Sequence, residues 1–383
     1  MIAKTLHGLE DILTNELKKI GGKNIEKKNR AVTFEGDLSL LYKANLSLRT
    51  ALKILKPITT FSAKNENELY KKLQRIKWDD FISLNDTFLV DTTITQSNFF
   101  NHSKYVSQKT KDAIVDQFRS KYGRRPSVNR NTPKIRVNIH ISHFNITVSM
   151  DSSGESLHKR GYRKQRVEAP INEVLAAGIV LLSDWDTKTI LTDPMCGSGT
   201  ILIESIMIAK NRGPNINRQN FSFFFWKDFD RELFQKIKNE LIKEETNKSI
   251  KVEGYDYHFR AISASRRNIS CMGFSENVTL KRFNFFDKKN KNEKRHLIFN
   301  PPYGQRLEIL DSDFYKKMGN ILKQFYSGSI VSIITSDIEN IKLLGLKPSK
   351  KIKLFNGALE SHFLQYNLYD GSQKIKNSDH SLT

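Results

Sequence analysis

The chain has 383 residues, with 63 Lys or Arg against 41 Asp or Glu, a formal net charge of +22. That length suits two or three domains at roughly 150 residues each, and 38% apolar with 27% charged residues is a globular composition that excludes wholesale disorder. No run nears the ~18 apolar residues of a membrane span, two cysteines exclude a disulfide framework and a four-cysteine zinc site, and the charged N-terminus lacks a signal-peptide apolar region, so a cytoplasmic location is expected.

In chain order, Leu9, Ile12, Leu13, Leu17 and Ile20 recur at helical spacing, with Gly21-Gly22 ending the helix. Ala31–Glu35 reads as a strand, a helix capped by Asp37 or Ser39 runs to Leu48, Leu52–Phe61 is extended, and Glu66–Ile76 is helical. Phe88, Val90, Thr92 and Ile94 alternate as a half-buried strand does. Ser107–Tyr122 predicts a helix with Gly123 as its C-terminal cap. Ile135–Ile141 and Ile146–Met150 form a hairpin about Ser142–Asn145. Strands mixed with helices predict an α+β unit. The polar stretch Asp151–Arg166 reads as a linker or binding loop.

After the apolar helix Ala169–Leu182 the pattern becomes strand, loop, helix, repeated. Ile190–Leu191 precedes Ile201–Ala209, Ile250–Tyr255 precedes His258–Ile269, and Val278–Phe283 and Leu297–Phe299 follow. Phe314–Phe325 is helical and Ile330–Thr335 a strand. This is the rhythm of a parallel sheet covered on both faces. Lys351–Phe355 and Phe363–Tyr369 close it as a hairpin around Asn356-Gly357, and Lys374–Thr383 reads as a disordered tail.

Asp193-Pro194-Met195-Cys196-Gly197-Ser198-Gly199-Thr200 lies between a strand and a helix, where open α/β sheets bind nucleotides. Its glycines admit positive φ and close approach of a ligand, but no Gly-Lys-Ser/Thr follows, so it is not a phosphate loop. Asp256 ends the next strand, placed to accept from ribose hydroxyls. Asp287 ends a third run, placed to accept from an adenine amino group. A glycine loop followed by two acids fits S-adenosylmethionine, a cation without phosphate.

Asn300-Pro301-Pro302-Tyr303 ends the fourth strand. Two prolines stiffen the backbone and remove two N–H donors. Free carbonyls and the Asn300 amide oxygen can accept both hydrogens of an exocyclic amine, and Tyr303 offers a face for an extruded base. A nucleobase amine is a poor nucleophile because its lone pair is delocalised. Two acceptors would bias the nitrogen towards sp3 and aim it at a methyl group, with no metal and no covalent intermediate.

With both motifs placed, the chain resembles the class I S-adenosylmethionine-dependent RNA methyltransferases that carry a THUMP domain, and in particular the guanine-N(2) methyltransferase half of the RlmL family of 23S ribosomal RNA enzymes, YpsC-like proteins included. Gln108–Asp116, Arg125–Val128 and Asp151–Arg163 resemble it too. The resemblance implies a ferredoxin-like segment over 1–60, a THUMP RNA-binding domain over 61–155 and a Rossmann-like methyltransferase domain over 156–370, before a tail over 371–383. It implies that the amine belongs to guanine, in 23S ribosomal RNA or a large-subunit assembly intermediate. Asp193, Gly197 and Gly199 would hold the methionine end of the cofactor, with Pro194 and Thr200 in the same cofactor-binding loop. Asp256 would bind its ribose and Asp287 its adenine, while Asn300, Pro301 and Tyr303 would orient the base, with Pro302 in the same catalytic motif. Some members fuse a second methyltransferase; with 383 residues only the amino-group activity is expected.

The excess charge is uneven: Met1–Arg166 holds 31 basic and 16 acidic residues, and Asn101–Arg136 ten and two. Such a field attracts polyanions. Lys111, Arg124, Arg125 and Arg136, with Arg130, form one candidate phosphate-binding patch, and Lys159, Arg160 and Arg163, with Lys164 and Arg166, a second. Cys196, inside the cofactor loop, reads as a small packed residue rather than a nucleophile, and Cys271 as structural. The histidines lack metal-site spacing, and neither a metal nor a membrane is expected. Two other readings stay open: the same chemistry on a transfer RNA guanine or an adenine 6-amino group, and a non-catalytic RNA-binding protein of ribosome assembly. Intact Asp193, Asp256 and Asn300 weigh against the last.

Overall fold

The computed structural model describes residues 1–164, 170–290, 294–302 and 313–369. Tyr303, Arg166 and the segment 371–383 lie outside the described residues. In chain order the elements are β1 (Ile2–Lys4), α1 (Glu10–Lys19), β2 (Lys23–Lys28), β3 (Ala31–Glu35), α2 (Leu38–Ser47), β4 (Lys53–Ser62), α3 (Glu66–Leu73), β5 (Thr87–Thr95), α4 (Ser103–Tyr122), β6 (Ser127–Val128), β7 (Ile135–Ser142), β8 (Asn145–Asp151), α5 (Glu173–Leu182), β9 (Leu191–Asp193), α6 (Thr200–Ala209), α7 (Arg231–Lys243), β10 (Val252–Asp256), α8 (Phe259–Cys271), β11 (Val278–Arg282), β12 (His296–Phe299), α9 (Phe314–Phe325), β13 (Ile330–Thr335), β14 (Lys350–Asn356) and β15 (Leu359–Asn367). They gather into two units. The first holds Met1–Thr5, Leu13–Lys159 and Asn215–Lys243; the second holds Leu6–Ile12, Arg160–Pro214 and the chain from Glu244.

The first unit is built on a sheet in the order β2-β3-β1-β4-β8-β7-β5-β6, antiparallel except where β5 pairs with β6 and β7. Alternation sets the register: Val137, Ile139 and Ile141 lie opposite Met150, Val148 and Ile146, and all six are buried. Asp37 caps α2, its carboxylate accepting from the Leu40 N–H at 2.9 Å. Gly123 ends α4 at φ +68°, its N–H on the Arg119 carbonyl.

One segment departs from the sequence reading. Asp151–Arg166 does not begin as a solvated linker. Ser152 and Ser153 are fully buried because Asn45 satisfies both hydroxyls, at 2.9 and 2.7 Å. Arg218 then donates to the carbonyls of Ser153, Glu155 and Ser156. The aromatic run Phe221–Trp226, which has no helical or strand period, packs into the same core with Phe234, Ile237 and Leu241 of α7. The Phe223 ring lies 4.8 Å from that of Tyr42 on α2.

The second unit carries a sheet in the order β11-β10-β9-β12-β13-β15-β14, parallel except at β15, which runs antiparallel to both neighbours. All residues of β9 and β12 are buried, as expected of parallel strands covered on both faces. The order reverses about β9, with β10 on one side and β12 on the other, so the loops after these strands leave the same carboxyl edge at a topological switch point. The hairpin turns at Gly357, φ +67°.

Candidate active site

Asp193 ends β9 almost wholly buried, with Oδ1 accepting from the Met195 N–H at 3.1 Å. Burial pushes its carboxyl up to about 8; the Met195 N–H opposes the shift and the nearby Asp256 charge adds to it. The loop is then pinned at successive residues. The Cys196 N–H donates to the Tyr255 carbonyl at 2.8 Å, Ser265 Oγ donates to the Gly197 carbonyl at 2.8 Å, and Asn268 Nδ2 donates to the Ser198 carbonyl at 3.1 Å. Gly197 and Gly199 take φ of +53° and +79°. A Cβ on Gly197 would meet nothing within 4 Å, so that glycine is set by its conformation and faces open space. A Cβ on Gly199 would also press on Ser265 Oγ at 3.1 Å. Pro194 is buried. Thr200 opens α6 with its hydroxyl 3.2 Å from Arg163 Nη2, which donates to it.

Asp256 ends β10, beside Asp193. Its Oδ2 accepts from the Gly197 N–H at 3.0 Å and its Oδ1 from the His258 N–H at 2.8 Å. The carboxylate is thus fixed against the glycine loop, with acceptor capacity left on both oxygens. Asp287 closes the short turn that follows β11 and is exposed. Asn300 leaves β12 on the other side of β9. It is half-buried, and its Oδ1 is buried without a hydrogen-bond partner. Such an acceptor costs about 1–3 kcal/mol until a donor reaches it. Pro301 beside it is buried and Pro302 half-buried. Asp287, Asp256, Asp193 and Asn300 therefore follow the strand order along one edge, two acids on one side of the glycine loop and the amide on the other.

Two of the expected phosphate contacts are corrected. Arg160 has a fully buried side chain, with Nε 3.6 Å from Glu204 Oε1, an oxygen that also accepts from the Tyr162 hydroxyl at 2.9 Å. Arg163 turns inward as well, donating from Nη2 to the Ile171 carbonyl at 2.9 Å and lying 3.3 Å from Glu173. Burial holds the Glu173 carboxyl above its usual range. The signal that could have shown this is Glu204 itself, an acid inside the apolar helix Thr200–Ala209. Arg136 is mostly covered and pairs with Asp91 at 3.4 Å. Lys111 pairs with Asp112, Lys159 with Glu155, and Arg124 and Arg125 are exposed. Arg218, which clamps the segment after β8, was missed because nothing local marks it.

Cys196 is buried, 3.8 Å from Ser265 Oγ, and burial pushes its thiol well up, away from the thiolate a nucleophile needs. Cys271 is the exposed last residue of α8, not a packed one. Among the described residues no cluster of His, Cys, Asp and Glu could hold a metal ion, and no helix is long and apolar enough to cross a membrane.

Three family profiles match: an RlmL ferredoxin-like domain over residues 1–55, a THUMP domain over 63–151 and an RMKL-like methyltransferase domain over 160–365. A Syntrophotalea carbinolica protein named ribosomal RNA large subunit methyltransferase K/L is 33% identical over 94% of this chain and 52% of its own length. The chain spans about half the length of the relatives that carry that name. A Synechocystis protein named as an RNA methyltransferase is 34% identical over 96% of both chains. The crystal structure of SMU.472, named a methyltransferase and complexed with SAH, is 31% identical and superposes at a TM-score of 0.85, covering 97% of this chain and 98% of that one.

Proposed function

The chain belongs to the RMKL-like methyltransferase family with a THUMP domain, and from that premise we propose that it methylates the exocyclic 2-amino group of a guanine in RNA, 23S ribosomal RNA being the favoured substrate. Its cofactor is S-adenosylmethionine, which supplies the methyl group as an electrophile on a sulfonium sulfur. The residues present fit it. The space above Gly197 is open, Asp193 offers a carboxylate to the methionine ammonium, Asp256 keeps acceptor capacity for the ribose hydroxyls, and Asp287 is exposed where adenine would lie.

The observation that carries the reading is Asn300 Oδ1, a buried acceptor with no partner. An amine hydrogen on that oxygen satisfies it and fixes the nitrogen's orientation. The adjoining Pro301 removes a competing backbone donor. Positioning and polarisation of the amine then do the work.

The test incubates purified protein with isotopically labelled S-adenosylmethionine and total RNA from a strain lacking the gene, then identifies the labelled nucleoside by mass spectrometry. Label in N(2)-methylguanosine from the large ribosomal RNA is expected. Label in methylated adenosine, or in transfer RNA, would keep the chemistry and discard the substrate.

A further inference from the structure

Beyond Asp256 the chain turns outward. Tyr257 is 58% exposed and Phe259 66%, the highest value for a large apolar side chain among the described residues. Neither joins the core. Exposed cations lie on the same two segments: Arg260 follows Phe259 in the chain, and Lys281 and Arg282 end β11, paired with Tyr255 and Asp256. The spot is held in shape from within. Arg282 Nε donates to the Tyr257 carbonyl at 3.1 Å, the Phe283 N–H donates to the Asp256 carbonyl at 3.0 Å, and the His258 ring lies 4.2 Å from that of Tyr257. Exposed aromatic faces interleaved with positive charge, with no acid at 257–260 or 281–282, match single-stranded nucleic acid, whose bases stack and whose phosphates seek cations.

We propose that Phe259, with the cations of Arg260 beside it in the chain and of Lys281 and Arg282 at the end of the adjoining strand, is a stacking platform for an unpaired nucleotide of the RNA that neighbours the target base. The proposal rests on RNA being the substrate. β10, from which this segment leaves, lies two places from β12, about 10 Å at the usual strand spacing. A nucleotide next to the base held at Asn300 can reach that far. Because every base has a π-face, the platform reads geometry rather than sequence. Phe259 carries the test because Tyr257 directly follows the acid assigned to the ribose.

The experiment measures the anisotropy of a fluorescein-labelled single-stranded RNA of mixed sequence with the full chain and with Phe259→Ala and Phe259→Trp. Calorimetry with S-adenosylhomocysteine runs beside it. The alanine variant is expected to bind RNA roughly 5- to 100-fold more weakly, the tryptophan variant to bind as the parent does, and all three to bind S-adenosylhomocysteine equally. Equal RNA affinity for the alanine variant and the parent would overturn the platform, as it would if this surface serves a protein partner. A loss of S-adenosylhomocysteine affinity would also overturn it, by making Phe259 part of the cofactor site. A parent chain that binds no RNA would fell the RNA reading itself, and the platform with it.

Discussion

Asp193 holds its proton to about pH 8 because it is buried, and the methionine ammonium proposed to bind beside it would favour the ionised form. Cofactor affinity, measured by calorimetry, is expected to rise by up to about tenfold per unit from acid towards neutral pH. Asp193→Asn should bind more weakly with a flat profile. Stability should move the other way. The unfolded carboxyl ionises near pH 4 and the folded one near 8, so between these values the folded state keeps a proton that the unfolded state has lost. Stability therefore falls as pH rises through that window. Asp193→Asn is expected to melt higher at neutral pH in the absence of cofactor, with the gain gone near pH 4. At Asn300 the expectation is different: Asn300→Ala removes the unpaired acceptor, so methyl transfer should be lost while S-adenosylhomocysteine binding survives. Equal loss of both would remove the role assigned to its amide.

Among the elements, the segment Arg160–Lys164 bears on both fold and site. Arg160, Tyr162 and Glu204 form one buried cluster, and Arg163 ties Thr200 to Glu173 at the head of α6. Breaking a buried ion pair from one side costs about 3–5 kcal/mol. Glu204→Ala should therefore lower the urea midpoint by that equivalent, and Arg160→Gln should do likewise while leaving RNA affinity of the folded protein unchanged. A fall in RNA affinity with stability intact would restore Arg160 as a phosphate contact. This segment also shows where the sequence was legible. Strand, loop and helix at β9, β10 and β12 could be read because hydrophobic runs end in small or acidic residues, and with them came the acids and Asn300. Composition could not separate Ser152, Ser153 and Arg160, buried with partners, from solvated polar residues, since the partners Asn45 and Glu204 are distant in sequence. β2, Lys-Asn-Ile-Glu-Lys-Lys, carries no apolar alternation because almost all of it is exposed at a sheet edge. Phe221–Trp226 has no period because its side chains fill a core from an irregular turn.

For the whole molecule the governing quantity is the charge of +22. If RNA is bound through it, log affinity should fall with log salt by roughly 0.7 per phosphate neutralised on a single strand. A flat response would show that the exposed Arg124 and Arg125 and their basic neighbours do not carry binding. The path of the chain has a separate consequence. The core of the first unit includes Phe221, Phe223, Trp226, Phe234, Ile237 and Leu241, which are translated only after β9 and α6 of the second unit. On the ribosome, the last strand of the first sheet emerges well before the side chains that complete its interior. The nascent N-terminal half must therefore wait, with apolar surface uncovered, until residue 243 has been added, and its folding is paced by elongation through another unit's sequence.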